Sequence, residues 1–67
     1  MTYNQVIKKA AKKVKQMQDD GINAGDMITE EVYKILTTEL NITPSECGNH
    51  NSGPFGDVLM AWVSKEF

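Results

Sequence analysis

One pair of residues in this chain has types and spacing that could bind a metal ion or form a nucleophile. Cys47 and His50 form the pattern C-x-x-H in a polar loop. A zinc site draws on three or four protein ligands, and the sequence contains no other cysteine or histidine. A cysteine nucleophile also needs an orienting environment that this pair alone does not define. We therefore expect a half-buried Cys47 and a loop His50, with no bound metal and no cofactor.

The segment from Asp19 to Glu30 has the length of an EF-hand calcium loop and lies between two predicted helices. Asp19, Asn23 and Glu30 occupy positions at which that loop places ligands. Gly21, however, occupies a ligand position, and Ala24 occupies the position that requires glycine. The acids are better interpreted as residues that end one helix and begin the next. With no other catalytic pattern in the chain, we predict that the protein is not an enzyme.

Length and composition indicate one folded domain over residues 1–67. The chain is 40% hydrophobic and 24% charged, which are ordinary values for a globular protein. No stretch approaches the roughly 20 apolar residues that a membrane span needs, and the N-terminal segment lacks the apolar run of a signal peptide. We expect a soluble, cytoplasmic protein that does not bind a membrane.

The spacing of apolar residues predicts an all-α fold, a small three-helix domain with a short extra helical turn between helices 2 and 3. The first helix is predicted to span about Tyr3–Asp20 and to begin with a capping box formed by Thr2 and Gln5. The second is predicted to follow a Thr29 cap and to end near Leu40. Its apolar face contains the following residues: Ile28, Val32, Ile35, Leu36 and Leu40. A capping threonine, a proline and a glutamate predict the extra turn at residues 43–46, and Pro54–Phe67 is predicted to form the third helix.

The segment EEVYKILTTELNITPSE, at positions 30–46, resembles the elbow of helix-turn-helix proteins. An amphipathic helix is followed by Ile42 and by a Thr-Pro-Ser sequence of the kind that begins a recognition helix. This resemblance implies an alternative function, a small DNA-binding transcription regulator. The chain departs from the pattern at Gly48, where a polar loop interrupts the expected recognition helix. No basic residue occurs between Lys34 and Lys65 to contact phosphates, so nucleic acid is not the partner we expect.

Five lysines at positions 8, 9, 12, 13 and 15 concentrate positive charge in the first helix, although the net charge of the chain is -2. They lie on and beside the helix face opposite the apolar stripe. Two interpretations remain open, a solubilising face and a surface that contacts an acidic protein patch or phosphates. No aromatic residue alternates with these lysines, so we expect no platform for stacking nucleic-acid bases.

The predicted third helix is apolar on two opposite faces, which is the strongest functional indication in the sequence. One face contains Phe55, Val58, Leu59 and Trp62, which we assign to the core. The other face contains Met60, Val63 and Phe67, which recur at the i, i+3, i+7 spacing of a helical stripe. A small domain has one interior, so the second stripe is either enclosed by other helices or contacts another molecule.

Glu39 is the one residue that conflicts with the apolar face of the second helix. It falls among Ile35, Leu36 and Leu40, near a helix C-terminus where a negative charge opposes the helix dipole. We expect its carboxylate either to reach solvent at the end of the helix or to find a hydrogen-bond donor.

The small size of the chain favours association with another molecule. A core of this size is marginal, and a single cysteine excludes an intrachain disulfide, so we expect a homodimer. The sequence predicts a non-catalytic protein-protein interaction module, a regulator or inhibitor of a larger enzyme or nucleoprotein complex of the accessory type that phages and mobile elements carry. The predicted partner-binding residues are Met60, Val63, Phe67, Lys8, Lys12 and Lys15.

Overall fold

The computed structural model describes residues 1–67 and confirms the all-α fold with three helices and an additional helical turn. The elements follow in the order α1 (Tyr3–Asp19), α2 (Gly25–Leu40), a 3-10 helix (Pro44–Cys47) and α3 (Gly53–Ser64). The molecule measures 29 × 22 × 21 Å. α1 packs against both α2 and α3, whereas α2 and α3 contact each other less. The lysine-bearing helix is therefore the central element of the fold.

The α1 helix begins and ends as the sequence predicts. Thr2 and Gln5 form the capping box, in which each side chain accepts a hydrogen bond from the backbone N–H of the other residue. At the other end, Gly21 adopts a φ of +86°, and the N–H of Ile22 donates to the carbonyl of Met17. This Schellman motif satisfies free carbonyls at the helix end and turns the chain toward α2.

The α2 helix starts earlier than predicted, so the assignment of Thr29 as its cap is wrong. The cap is Ala24, and the Ile28 N–H already donates to the Ala24 carbonyl as part of the helix. The earlier start adds a helical turn that lets Ile28 pack against the core and places Asp26 favourably at the positive end of the helix dipole. α2 ends at Leu40 as predicted, with Asn41 in the left-handed conformation.

The 3-10 helix forms the predicted capping box between Thr43 and Glu46 and buries Cys47 completely. A tight loop follows, in which Asn49 and Ser52 pair through two backbone hydrogen bonds. Gly48 adopts φ 81° and ψ -152°, a conformation essentially limited to glycine. This loop determines where α3 begins and how it approaches the core.

The α3 helix ends at Ser64, so the prediction that helix 3 continues to Phe67 is wrong. Lys65 adopts the left-handed conformation, and the Glu66 N–H donates to the Ala61 carbonyl across the helix end. The resulting Schellman motif reverses the chain after Lys65. Phe67 therefore does not lie on the helical stripe with Met60, and it turns back toward α1.

The core consists of apolar side chains from all four elements, and no polar side chain is buried. The α1 stripe contributes Val6, Ile7, Ala10, Ala11 and Val14. Phe55 and Val58 are buried as predicted, but Trp62 is only half-buried at the edge of the core. No helix is long and apolar enough to cross a membrane.

Candidate functional surface

The six residues predicted to bind a partner lie along one side of the molecule, beside the seam where α1 packs on α3. Met60 and Val63 are each 68% exposed, and Phe67 is 39% exposed. The second apolar side of α3 is therefore not enclosed by other helices. We use the name α1–α3 face for the following set of residues: Lys8, Lys12, Lys15, Met60, Val63 and Phe67.

The first concavity on this side is a groove of about 490 Å³ near the start of α1. Met60 and Lys8 both line it, so an exposed apolar side chain and a lysine stand at the same opening. Tyr3 and Asp57 also line this groove and connect its two helices, because the Tyr3 hydroxyl donates a hydrogen bond to the Asp57 carboxylate. Partial burial and this hydrogen bond to a negative group raise the pKa of Tyr3 to about 12.

A second groove, of about 470 Å³, lies between the end of α1 and the end of α3. Trp62, Val63 and Phe67 form its apolar lining, and Lys15 stands at its border. The half-buried position of Trp62 follows from this groove, because one part of the indole packs on the core and another part faces the opening. Trp62 is the only tryptophan of the chain, so its fluorescence reports directly on this site.

Phe67 lies among the lysines of α1, which corrects the expectation that no aromatic residue accompanies them. It lines one shallow groove with Lys8 and Lys12, and a neighbouring one with Lys12 and Lys15. Sequence periodicity could not reveal this proximity, because it depends on the left-handed turn at Lys65 that ends α3. The face therefore combines cationic and aromatic groups in addition to its aliphatic side chains.

The lysines of α1 divide into different environments. Lys8 and Lys12 are exposed and make no ion pair, whereas Lys15 pairs with Asp19 one turn later at 2.7 Å. Lys9 pairs with Glu39 of α2 at 2.7 Å. The carboxyl group of Glu39 reaches solvent and also pairs with Lys9, whose ammonium group lowers its pKa. Lys8 and Lys12 retain ammonium groups available to a partner.

Several residues of this surface were not predicted as site residues. Tyr3, which was predicted as the start of the first helix, is 44% exposed, and Trp62 was assigned to the core but is only half-buried. Asp57 carried no sequence signal, because its hydrogen-bond partner Tyr3 is 54 residues away in the sequence and only the fold brings the two together.

Cys47 and His50 do not form a site together in this structure. The Cys47 thiol is fully buried and donates a weak hydrogen bond to the Thr43 carbonyl at 3.7 Å, and burial is the main cause that raises its pKa. Cys47 is therefore more deeply buried than expected. His50 is exposed and packs edge-on against the Phe55 ring, with centroids 5.3 Å apart. No group of three or more potential metal ligands is clustered anywhere in the molecule.

The elbow at Thr43 leads into a short element. The segment after it, at the place of a recognition helix, is the four-residue 3-10 helix Pro44–Cys47, which a bridged loop follows. A side chain that reads DNA bases must project from an element that enters the major groove. The single helical turn found here is much shorter than a recognition helix.

No protein-family model, no curated protein sequence and no solved structure matches this chain. The arrangement of side chains on the α1–α3 face is therefore the basis for a functional conclusion.

Proposed function

We propose that this protein is a non-catalytic interaction module that binds another protein through its α1–α3 face. The supporting observation is the location of the exposed large apolar side chains. Six such residues occur in the molecule, and five of them line grooves at the α1–α3 seam or between α1 and Phe67. These five are Met1, Tyr3, Met60, Val63 and Phe67. Apolar surface gathered in one place marks interaction sites, whereas exposed apolar residues scattered singly do not.

The size of the domain fits a role as a regulator or inhibitor of a larger enzyme or nucleoprotein complex. The total accessible surface is 4450 Å², and a standard interface buries about 800 Å² on each partner, roughly a fifth of that surface. A contact of this size would cover a comparable area on the partner, as a regulator or inhibitor that blocks a site does. The partner also supplies the additional burial that a small core lacks.

The α1–α3 face has better support than the elbow at Thr43 as the functional surface. The face offers large exposed apolar side chains, whereas the apolar residues around the elbow pack into or against the core. The two functions differ in their salt dependence. Binding to DNA weakens steeply with salt because counterions are released, while an apolar protein contact persists at high salt.

Affinity capture from the cells that produce the protein tests the proposal. Met60→Ser combined with Val63→Ser removes two apolar anchors from the face, and Met27→Ser is the matched control because Met27 is 53% exposed on another side. We expect the wild type and the control to retain the same protein at high salt, and the double variant to lose it. Capture of the same protein by the wild type and both variants alike, or by none of these three proteins, contradicts the proposal. Circular dichroism melting establishes that the wild type and both variants are folded.

A further inference from the structure

We propose that the α1–α3 face binds an acidic segment of the partner, one that presents apolar side chains together with carboxylates, as an amphipathic acidic helix does. This inference rests on the proposed function and specifies the chemistry of its partner. It follows from the distribution of charge around the apolar anchors Met60, Val63 and Phe67, not from their exposure alone.

Positive charge is concentrated on this side of a protein whose net charge is -2. Five lysines and three acids line the four grooves on this side, two at the α1–α3 seam and two between α1 and Phe67. One of the five, Lys9, is paired with Glu39 of α2. The rest of the chain contains two lysines and six acids. The side that carries the exposed apolar residues is thus the cationic side of an otherwise acidic molecule. A partner of opposite charge is attracted to this side and repelled by the remaining surface.

Phe67 shows how apolar and charged contacts can occur together. The residue is 39% exposed and lines shallow grooves with Lys8, Lys12 and Lys15. No acid pairs with Lys8 or Lys12, so a carboxylate that docks beside the ring meets ammonium groups that are not already neutralised. An apolar side chain in contact with Phe67 therefore brings its acidic neighbours within reach of these lysines.

The groove that Trp62, Val63 and Phe67 line provides space for an apolar anchor. Its volume of about 470 Å³ lies within the range of roughly 300–1,000 Å³ that is typical of small-ligand pockets. Met60 is exposed one helical turn before Val63, which extends the apolar strip along α3. A helix that docks in such a groove uses anchors spaced by three or four residues and exposes a charged flank to the lysines of α1.

A single-stranded nucleic acid is the other polyanion that lysines and an aromatic ring could bind. Three carboxylates, those of Asp19, Asp57 and Glu66, line the same grooves and repel a continuous phosphate chain. The chain also has no arginine, the residue best suited to bidentate phosphate contacts. A protein segment can place its carboxylates beside lysines and its apolar residues elsewhere, so the mixed surface favours a protein.

Selection from a displayed library of helical peptides tests the inference. Charged positions are randomised between glutamate and lysine, and apolar positions among aliphatic and aromatic residues. Binding of the enriched peptides is then measured by Trp62 fluorescence. Lys12→Glu reverses a charge on the face, and Lys34→Glu is the matched control because Lys34 is exposed on α2 and makes no ion pair.

We expect enriched peptides with net negative charge, bound about five- to tenfold more weakly by Lys12→Glu and unchanged by Lys34→Glu. The inference is overturned if no peptide is enriched, if the enriched peptides are neutral or basic, or if both variants lose affinity equally. Tighter binding of an oligothymidine than of every peptide overturns it in favour of nucleic acid. Uncharged peptides that require Met60 and Val63 but tolerate Lys12→Glu overturn this inference and leave the proposed function intact.

Discussion

The ammonium group of Lys9 donates a hydrogen bond of 2.7 Å to the carboxylate of Glu39 and so connects α1 with the last turn of α2. Glu39 lies near Leu36 and Leu40 on a helix that packs against α1, but its side chain is exposed at the edge of that packing, where it pairs with the lysine. The same contact engages the ammonium group of Lys9, whereas Lys8 and Lys12 make no ion pair.

Removing the charge of Glu39 should therefore weaken the fold slightly and reduce its sensitivity to acid. The hydrogen bond from Lys9 lowers the pKa of Glu39 in the folded state, so the pair stabilises the fold above the ordinary glutamate pKa of 4.5. This contribution disappears as the pH falls through the lower folded-state pKa. We expect Glu39→Gln to lower the melting temperature at neutral pH and to narrow the difference between neutral and acidic conditions. Glu30→Gln, an exposed acid without an ion pair, is the control, and an equal effect of both changes contradicts the role of Lys9.

Tyr3 should ionise at unusually high pH. Partial burial and the hydrogen bond to Asp57 raise its pKa to about 12, from an ordinary value of 10.0. A raised pKa means that the contact stabilises the fold below pH 10 and is lost as the pH rises toward 12. The ultraviolet absorbance of the phenolate, measured as the difference between wild type and Tyr3→Phe, should show this titration. A midpoint at the ordinary value would show that Tyr3 and Asp57 do not interact in solution.

Two glycines should respond in opposite directions to substitution by alanine. A methyl group at Gly48 would lie 2.3 Å from the Ser52 carbonyl oxygen, in a backbone conformation that disfavours side chains. We expect Gly48→Ala to lower the free energy of unfolding by at least about 1–3 kcal/mol. Gly25 has no neighbouring atom within 4 Å of an added methyl and lies in α2, so Gly25→Ala should stabilise by about 0.4–1 kcal/mol. Urea denaturation measures both, and similar effects would contradict the loop geometry.

Core and surface residues of α3 should differ in their contribution to folding. Phe55 is 3% exposed and packs on Tyr33, with ring centroids 5.0 Å apart, so Phe55→Ala should cost about 3–5 kcal/mol and could unfold the chain. Phe55→Leu, which retains most of the buried volume, should cost less and keep the comparison measurable if the alanine variant does not fold. Met60→Ser should change stability by less than about 0.5 kcal/mol because the side chain is exposed. A large loss for Met60→Ser in urea denaturation would place that residue in the core.

Helix-capping residues in the sequence correctly predicted the helix ends at which they occur. The α1 helix was correct at both ends because a capping box and a glycine exit mark them, and the turn at Thr43 was correct for the same reason. The start of α2 was wrong because Thr29 resembles a good cap, while the real start at Ala24 has no side-chain hydrogen bond.

The candidate surface was predictable in its composition but not in its arrangement. The spacing of Met60 and Val63 identified exposed apolar positions on α3, and the structure leaves both exposed. The position of Phe67 depends on Lys65 adopting the left-handed conformation, which glycine and asparagine favour and lysine does not, so the residue type gave no signal for it. The lysines and Phe67 are distant in sequence, so no periodicity could bring them together.

Site-specific photocrosslinking in the cells that produce the protein tests most directly whether the α1–α3 face binds a partner. A photoreactive benzoylphenylalanine in place of Met60 probes the face, and the same group in place of Met27 probes an exposed apolar position outside it. The account predicts a discrete covalent adduct with another protein from position 60 and none from position 27. Adducts from position 27 alone, or no adduct from position 60 in folded protein, would contradict it.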